Sequence, residues 1–341
     1  MSVLHTQFEA IVEGQTADAK ILCSRPPETS PPIPLTLLHP IFAKFVDDCE
    51  HSQPSRQINQ FTLKLAESMS KFYPDENART KGLKLLFSDI GIDLQTIRIT
   101  GTGYEMDAVL IRGNKFLIIC GEIKDGAANN VDPFLQAILY YVEQTRAVAP
   151  IFPSSILPAL ILICAGAPLN LSYDICQQRS NRTIGPYLSF AGAVWNAHPN
   201  VQVLTPAIPL HFHSTDLKLR EMTARHISAF SSTVRSFEEH YNEPLYHQTS
   251  TVDGVYPSVC DFFPYPVSFT SGTLAESKSR NFTYHSLVKS GKKLIFRGEI
   301  SDTREKICIK FVRRYSEKVH EFCARNNWAP KLLAFQELSG G

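Results

Sequence analysis

Apolar side chains recur at Ile58, Phe61, Leu65 and Met69, with Leu63 between them. That spacing predicts an amphipathic helix over about residues 55–72. Pro74 ends it, and Asp75 stands at an N-cap position for a second helix, Glu76 to about Asp89. A shorter helix is predicted from His39 to Cys49. Another starts at Asp132-Pro133, a good N-cap followed by a residue suited to the first helical position, and runs to about Ala147. The longest, Thr215 to Tyr241, carries Leu219, Met222, His226, Phe230, Val234 and Phe237 at helical spacing. Strand patterns alternate with these helices. Tyr104 to Ile111 and Phe116 to Lys124 flank Gly113-Asn114, a hairpin signal. The unbroken apolar run Ala159 to Ala165 predicts a buried strand, and Tyr187 to Val194 and Val201 to Phe212 read as further strands. The expectation is an α/β protein, with a mixed sheet flanked by helices.

Beyond a Pro-, Ser- and Thr-rich stretch from about Glu243 to Ser279 lie strands at Leu294 to Ile300 and Lys306 to Val312, then a helix from Ser316 to Asn326. At 341 residues, two domains are expected. The divisions read as a 1–54 arm with a Pro-rich linker around Arg25 to Pro34, a main domain at 55–245, a linker at 246–279 and a small α+β piece at 280–341. No internal repeat is evident.

Composition narrows the classes. Apolar residues make up 43% and charged residues 20%, with a net charge of +1, which excludes a disordered or broadly basic chain. A local basic groove remains compatible with nucleic acid. None of the eight cysteines forms a Cys-x-x-Cys pair, and Cys120, Cys164 and Cys308 sit in apolar runs as small hydrophobes. This points to a reducing compartment, with neither a disulfide framework nor a zinc knuckle. The N-terminus lacks signal-peptide order, and Ile156 to Ala167 is too short to span a bilayer. The expected location is intracellular, cytoplasm or nucleus, with no membrane partner.

The chemistry-bearing segment is the hairpin. With the turn on Gly113-Asn114, Ile111 faces Phe116 and Asp107 faces Cys120, so Glu122 and Lys124 share a face with Asp107. Asp107 and Glu122 become diagonal neighbours about 7–8 Å apart at the backbone, able to grip one divalent cation beside a lysine. Glu76 can supply a third carboxylate, with Glu67 on the preceding helix as its rival. Gln136 and Tyr140 share a face of the following helix, Tyr140 reading as a packing residue. His211 and His213 share a strand face without a third ligand nearby, and Cys120 reads as small filler.

Glu76, Asp107, Glu122-Ile123-Lys124 and Gln136-Ala137-Ile138-Leu139-Tyr140, in this order of elements, resemble the PD-(D/E)XK superfamily of restriction-endonuclease-like nucleases. His39 to Phe45, Gly192 to Trp195 and Val203 to Thr205 extend the resemblance to large fungal proteins, including Crinkler-type effectors, that join such a domain to a protein-kinase-like one. It covers roughly residues 39–245. It implies hydrolysis of DNA, with RNA as an alternative, using Mg²⁺ or Mn²⁺ held by Asp107, Glu122 and the Ile123 carbonyl, with Glu76 as a further ligand. Lys124 would orient water or offset negative charge, and Gln136 would contact the scissile strand. Asp125-Gly126 departs from the Asn-Glu expected after the lysine, which keeps open a catalytically silent module that binds nucleic acid or protein.

Lys306 to Val312 with Tyr315 to Phe322 resembles the small lobe of a protein kinase. Lys310 would be its nucleotide-phosphate lysine, and Glu317 or Glu321 the ion-pair partner. Neither a His-Arg-Asp loop nor an Asp-Phe-Gly motif is present, and Ser290-Gly291-Lys292-Lys293 is a poor glycine-rich loop, so kinase activity is rejected for this chain. A protein partner for the incomplete lobe is the remaining expectation.

Overall fold

The computed structural model describes residues 21–124, 132–153, 155–166, 186–196, 198–243, 263–271, 278–288 and 293–340. Helices α1 (Leu35–Leu38), α2 (Pro40–His51), α3 (Arg56–Met69) and α4 (Glu76–Ser88) come first. Strands β1 (Gln95–Arg98), β2 (Glu105–Arg112) and β3 (Phe116–Lys124) follow, then α5 (Pro133–Arg146) and β4 (Ala159–Ala165). Next are β5 (Tyr187–Asn196), β6 (His198–Val203), β7 (Ile208–Pro209) and α6 (Leu217–His240). The C-terminal part holds β8 (Ser268–Ser271), β9 (Lys278–Leu287), β10 (Leu294–Ile300), β11 (Lys306–Phe311) and α7 (Glu317–Arg325).

The larger sheet has seven strands in the order β1-β2-β3-β4-β5-β6, with β7 paired to β5. β3 and β4 are parallel, and α5 lies on the crossover that a parallel pair requires. The other pairs are antiparallel, so the sheet is mixed and the class is α/β. Alternation along β4 divides the core. Ile161 and Ile163 pack with Cys120, Ala137, Ile138 and Tyr141 beneath α5. Leu160, Leu162 and Cys164 pack on the other face with residues of α2, α3, α4 and α6. There, edge and tilted aromatic contacts link Phe61, Phe87, Phe230, Phe190 and Phe45. Burying each such side chain contributes roughly 1.5–3 kcal/mol.

The caps follow the sequence pattern. Asp75 accepts from Ala78 N–H, Asp132 from Phe134 and Leu135 N–H, and Ser316 from Val319 N–H. Several expectations need correction. Leu63 is half-buried, because it lies off the stripe that Thr62, Leu65, Ala66 and Met69 fill. Val201 to Phe212 is not one strand: β6 starts at His198, and the chain leaves it before Pro206, which cannot donate to a ladder. The 1–54 segment is not a free arm: Ile33 at the end of the Pro-rich stretch and Leu35, Leu37 and Leu38 after it are buried in the core. β1, β8 and β9 were not legible as strands. Cys308 is exposed rather than buried filler, since it sits on an edge strand.

The second sheet, ordered β11-β10-β9-β8, is antiparallel. It is tied to the main body where Tyr265 N–H donates to Leu37 O at 2.7 Å and Gly340 N–H to Asp47 Oδ1 at 2.9 Å. Phe296 joins the same apolar cluster as Leu37 and Phe42. Among the described residues no helix is long and apolar enough to cross a membrane.

At Gly192 a Cβ would lie 2.6 Å from Phe42 Cε1 and 2.9 Å from Leu35 Cδ1. α1 and α2 therefore seat on β5 only while that position lacks a side chain. Gly192→Ala should destabilise the protein by about 1–3 kcal/mol through overpacking. Urea unfolding checks this, and an unchanged midpoint would contradict the packing.

Candidate active site

The Gly113-Asn114 turn forms, but Arg112 rather than Ile111 pairs with Phe116, a one-residue shift at the turn itself. Gly113 and Asn114 both have φ +56°, and Lys115 N–H donates to Arg112 O. The register differs from a plain hairpin, however. Leu110 pairs with Ile119 while Ile111 pairs with Leu117, so Ile118 is bulged. Ala108 then faces Gly121, and one residue further on Asp107 comes level with Glu122 rather than Cys120. The two acids are thus directly opposed, about 4.5–5.5 Å apart at the backbone, instead of diagonal. Gly121 makes the approach possible, because a Cβ there would lie 2.6 Å from Ala108 O. Asp107 Oδ2 accepts from Ile123 N–H at 3.1 Å, which fixes its side chain against β3.

β3 is buried along its whole length. Glu122 is 1% exposed and Lys124 9%. Lys124 Nζ lies 2.6 Å from Glu122 Oε1 and 3.0 Å from Glu76 Oε1 on the first turn of α4. The first of these is an ion pair with poor hydrogen-bond geometry, and neither Glu122 oxygen has a hydrogen-bond partner among the described residues. Burial, and next the Asp107 charge, push Glu122 up to about 8 against the pull of Lys124. Burial likewise raises Asp107, outweighing the Ile123 N–H and Lys124. Burial acts to lower Lys124, but Glu122 and Glu76 outweigh it and hold the lysine above its usual value, so it stays protonated.

Gln136 and Tyr140 are buried on α5, where Gln136 Nε2 donates to Tyr140 Oη at 2.5 Å. Burial first, then Glu122, raises the Tyr140 phenol. Gln136 Oε1 has no hydrogen-bond partner among the described residues. Gln136 therefore sits in the buried layer beside β3 rather than on an open strand-binding surface. Glu67 is exposed on α3, and the Lys124 contact belongs to Glu76. Sequence reasoning missed Lys84 of α4, which touches Thr96 Oγ1; Thr96 in turn donates to Asp107 O. Burial lowers Lys84 against the pull of Asp107 and then Glu105. Its place three residues before Phe87 on the apolar face of α4 was the only signal.

Among the described residues no group of three His, Cys, Asp or Glu side chains is arranged to hold a metal ion. A cation here would rest on Asp107, Glu122 and the Ile123 carbonyl, with water completing the shell, a donor set that suits Mg²⁺ or Mn²⁺. Glu122, whose oxygens make no hydrogen bond among the described residues, fits that role, although Lys124 is ion-paired with it as well as with Glu76. His211 and His213 are exposed beyond β7, and His213 Nδ1 bonds Thr215 Oγ1 at 2.7 Å.

In the C-terminal part Lys310 is exposed and lies 6.0 Å from the Tyr315 ring centroid. The expected ion pair with Glu317 or Glu321 does not form; Glu321 bonds Arg325 instead at 3.3 Å. Asp125-Gly126 and Ser290-Gly291-Lys292 lie outside the described residues. Comparison with protein families, curated proteins and solved structures returned no match for this chain.

In the unfolded chain Glu122 ionises near the ordinary glutamate value, about 4.3, whereas the native state keeps its proton up to about 8. Between those values the native state binds more protons, so stability falls as pH rises. Asp107 adds to the fall with the same sign. Glu122→Gln should flatten it and raise Tm at pH 8, read from thermal unfolding in EDTA from pH 5 to 8. A wild-type profile no steeper than the variant's would contradict this.

Proposed function

We propose that this chain is a metal-dependent phosphodiesterase of the restriction-endonuclease-like, PD-(D/E)XK kind, acting on DNA. The observation that carries the reading is the buried Glu122 carboxylate, without a hydrogen bond among the described residues, level with Asp107 and ion-paired with a protonated Lys124. A buried carboxylate costs several kcal/mol unless something compensates it. A divalent cation at Asp107, Glu122 and the Ile123 carbonyl would polarise a phosphoryl oxygen and lower the pKa of bound water. Lys124 keeps its proton, so it acts as a fixed positive charge facing developing negative charge, not as a general base. Glu76 holds that ammonium in place from α4. The Ile123 N–H fixes one Asp107 oxygen and leaves the other for a ligand. Gln136 and Tyr140 close the α5 side against water.

A second reading rests on the 2.6 Å Lys124–Glu122 pair, which already offsets part of the charge a cation would answer. In it the site is a silent module that binds nucleic acid or protein. The C-terminal piece is proposed as an interaction module, with no nucleotide role for Lys310.

Supercoiled-plasmid nicking separates the two readings. With Mg²⁺ or Mn²⁺ the wild type should nick, EDTA should stop it, and Asp107→Ala or Lys124→Ala should lower the rate by about a hundredfold or more. Nicking by both variants at wild-type rate would sink the assignment. Metal-independent DNA binding without turnover would favour the silent module.

A further inference from the structure

Charge is divided unevenly along this chain. Residues 278–341 hold fourteen Lys and Arg against six Asp and Glu, a net +8, so with +1 for the whole chain residues 1–277 carry −7. Such an asymmetry gives the basic part a partner of opposite sign. The acidic part, which contains Asp107 and Glu122, repels a polyanion on balance; the C-terminal piece attracts one.

The small sheet presents that charge on one face. β10 and β11 place Arg297 opposite Cys308, with Lys306 and Lys310 two residues to either side of Cys308 and on its face. Arg297 is therefore a diagonal neighbour of both lysines, about 7–8 Å away at the backbone. Phe296, Ile309 and Phe311 alternate to the opposite face and join the core. Arg297, Lys306 and Lys310 are exposed, and none of them makes an ion pair among the described residues. Thr283 and Ser286 continue the face on β9. Glu299 shares it, but Arg304 Nε holds that carboxylate at 2.7 Å. Glu305, one residue before Lys306, falls on the opposite side by alternation. Lys310 Nζ lies 6.0 Å from the Tyr315 ring centroid, so the connection after β11 folds back beside the strand end. That connection carries Arg313 and Arg314, both exposed.

We propose that the outer face of β10 and β11 is the electrostatic anchor that holds DNA to this chain through its phosphate backbone, with Arg297, Lys306 and Lys310 as the contacts and Arg313 and Arg314 at the rim. The proposal deepens the nuclease reading and rests on it, since that reading selects DNA among polyanions. Cation–phosphate contacts supply affinity without sequence preference, which is what an acidic catalytic body lacks.

The test is fluorescence anisotropy of a labelled duplex oligonucleotide with the full chain, in EDTA to prevent turnover, across a series of salt concentrations. Arg297→Ala, Lys306→Ala and Lys310→Ala together should weaken binding by about a hundredfold at low salt and reduce the slope of log affinity against log salt by about 2–3; each alone should reduce it by about 1. The charge-keeping set Arg297→Lys, Lys306→Arg and Lys310→Arg should stay within about twofold. Lys115→Ala, at the hairpin turn of the other sheet, should change neither quantity. An unchanged slope in the alanine variants would overturn the proposal, as would equal loss in the charge-keeping set. Loss of self-association instead of DNA binding, read by sedimentation, would also overturn it and give the face to the acidic part of a second copy. If the wild type nicks plasmid while the alanine variants keep its slope, only the anchor fails. If it binds through these residues but never nicks, the anchor stands and the catalytic reading fails.

Discussion

A carboxylate buried in the middle of a fully buried strand is the constraint on which the site depends. Glu122 is enclosed by α5 on its own face and by β2 and β4 on either side. Water cannot solvate it, and no N–H or O–H among the described residues reaches it with good geometry. Apolar residues at that position would make a more stable sheet. What offsets its charge is Lys124, two residues on, while Asp107 across the ladder and Glu76 beyond the lysine oppose it. Two of these three are themselves acids, so the cluster carries more negative than positive charge and is completed best by a cation.

The fold sets this cluster through close approaches rather than through loops. Gly121 lets β2 come near β3 where a side chain would push it away. The shortened turn and the bulge at Ile118 each advance the register by one residue, so that Asp107 stands opposite Glu122. α4, started by the Asp75 cap, delivers Glu76 on its first turn to the end of β3. Its Leu83 and Phe87 anchor it to the core beneath.

Much of this was legible in the sequence because short-range chemistry wrote it. Asp75, Asp132 and Ser316 announced their helices through capping, and Gly113-Asn114 announced the turn. Glu122 and Lys124 share a face by alternation, and Asp107 stays with them because the shifts at the turn and at Ile118 add to an even number. The register was not legible, because a bulge leaves no mark on an alternating pattern when both faces of the strand are apolar. Nor was the burial of Glu122, which depends on α5 covering the sheet. Leu35, Leu37 and Leu38 fell in the N-terminal arm without an assigned element because so short a helix has no period to read. β1 stayed hidden because three of its four residues are exposed on an edge. Lys84 escaped because its link to Asp107 runs through Thr96 on that strand.

The central claim is that the Asp107–Glu122 pair is a cation site. Its most direct test is calorimetric titration of Mg²⁺ into the metal-free protein at pH 7, in buffers of different ionisation enthalpy. The account predicts binding coupled to proton release, since Glu122 must give up the proton that burial retains, and loss of both in Glu122→Gln. Absence of Mg²⁺ binding, or binding that Glu122→Gln leaves intact, would contradict it.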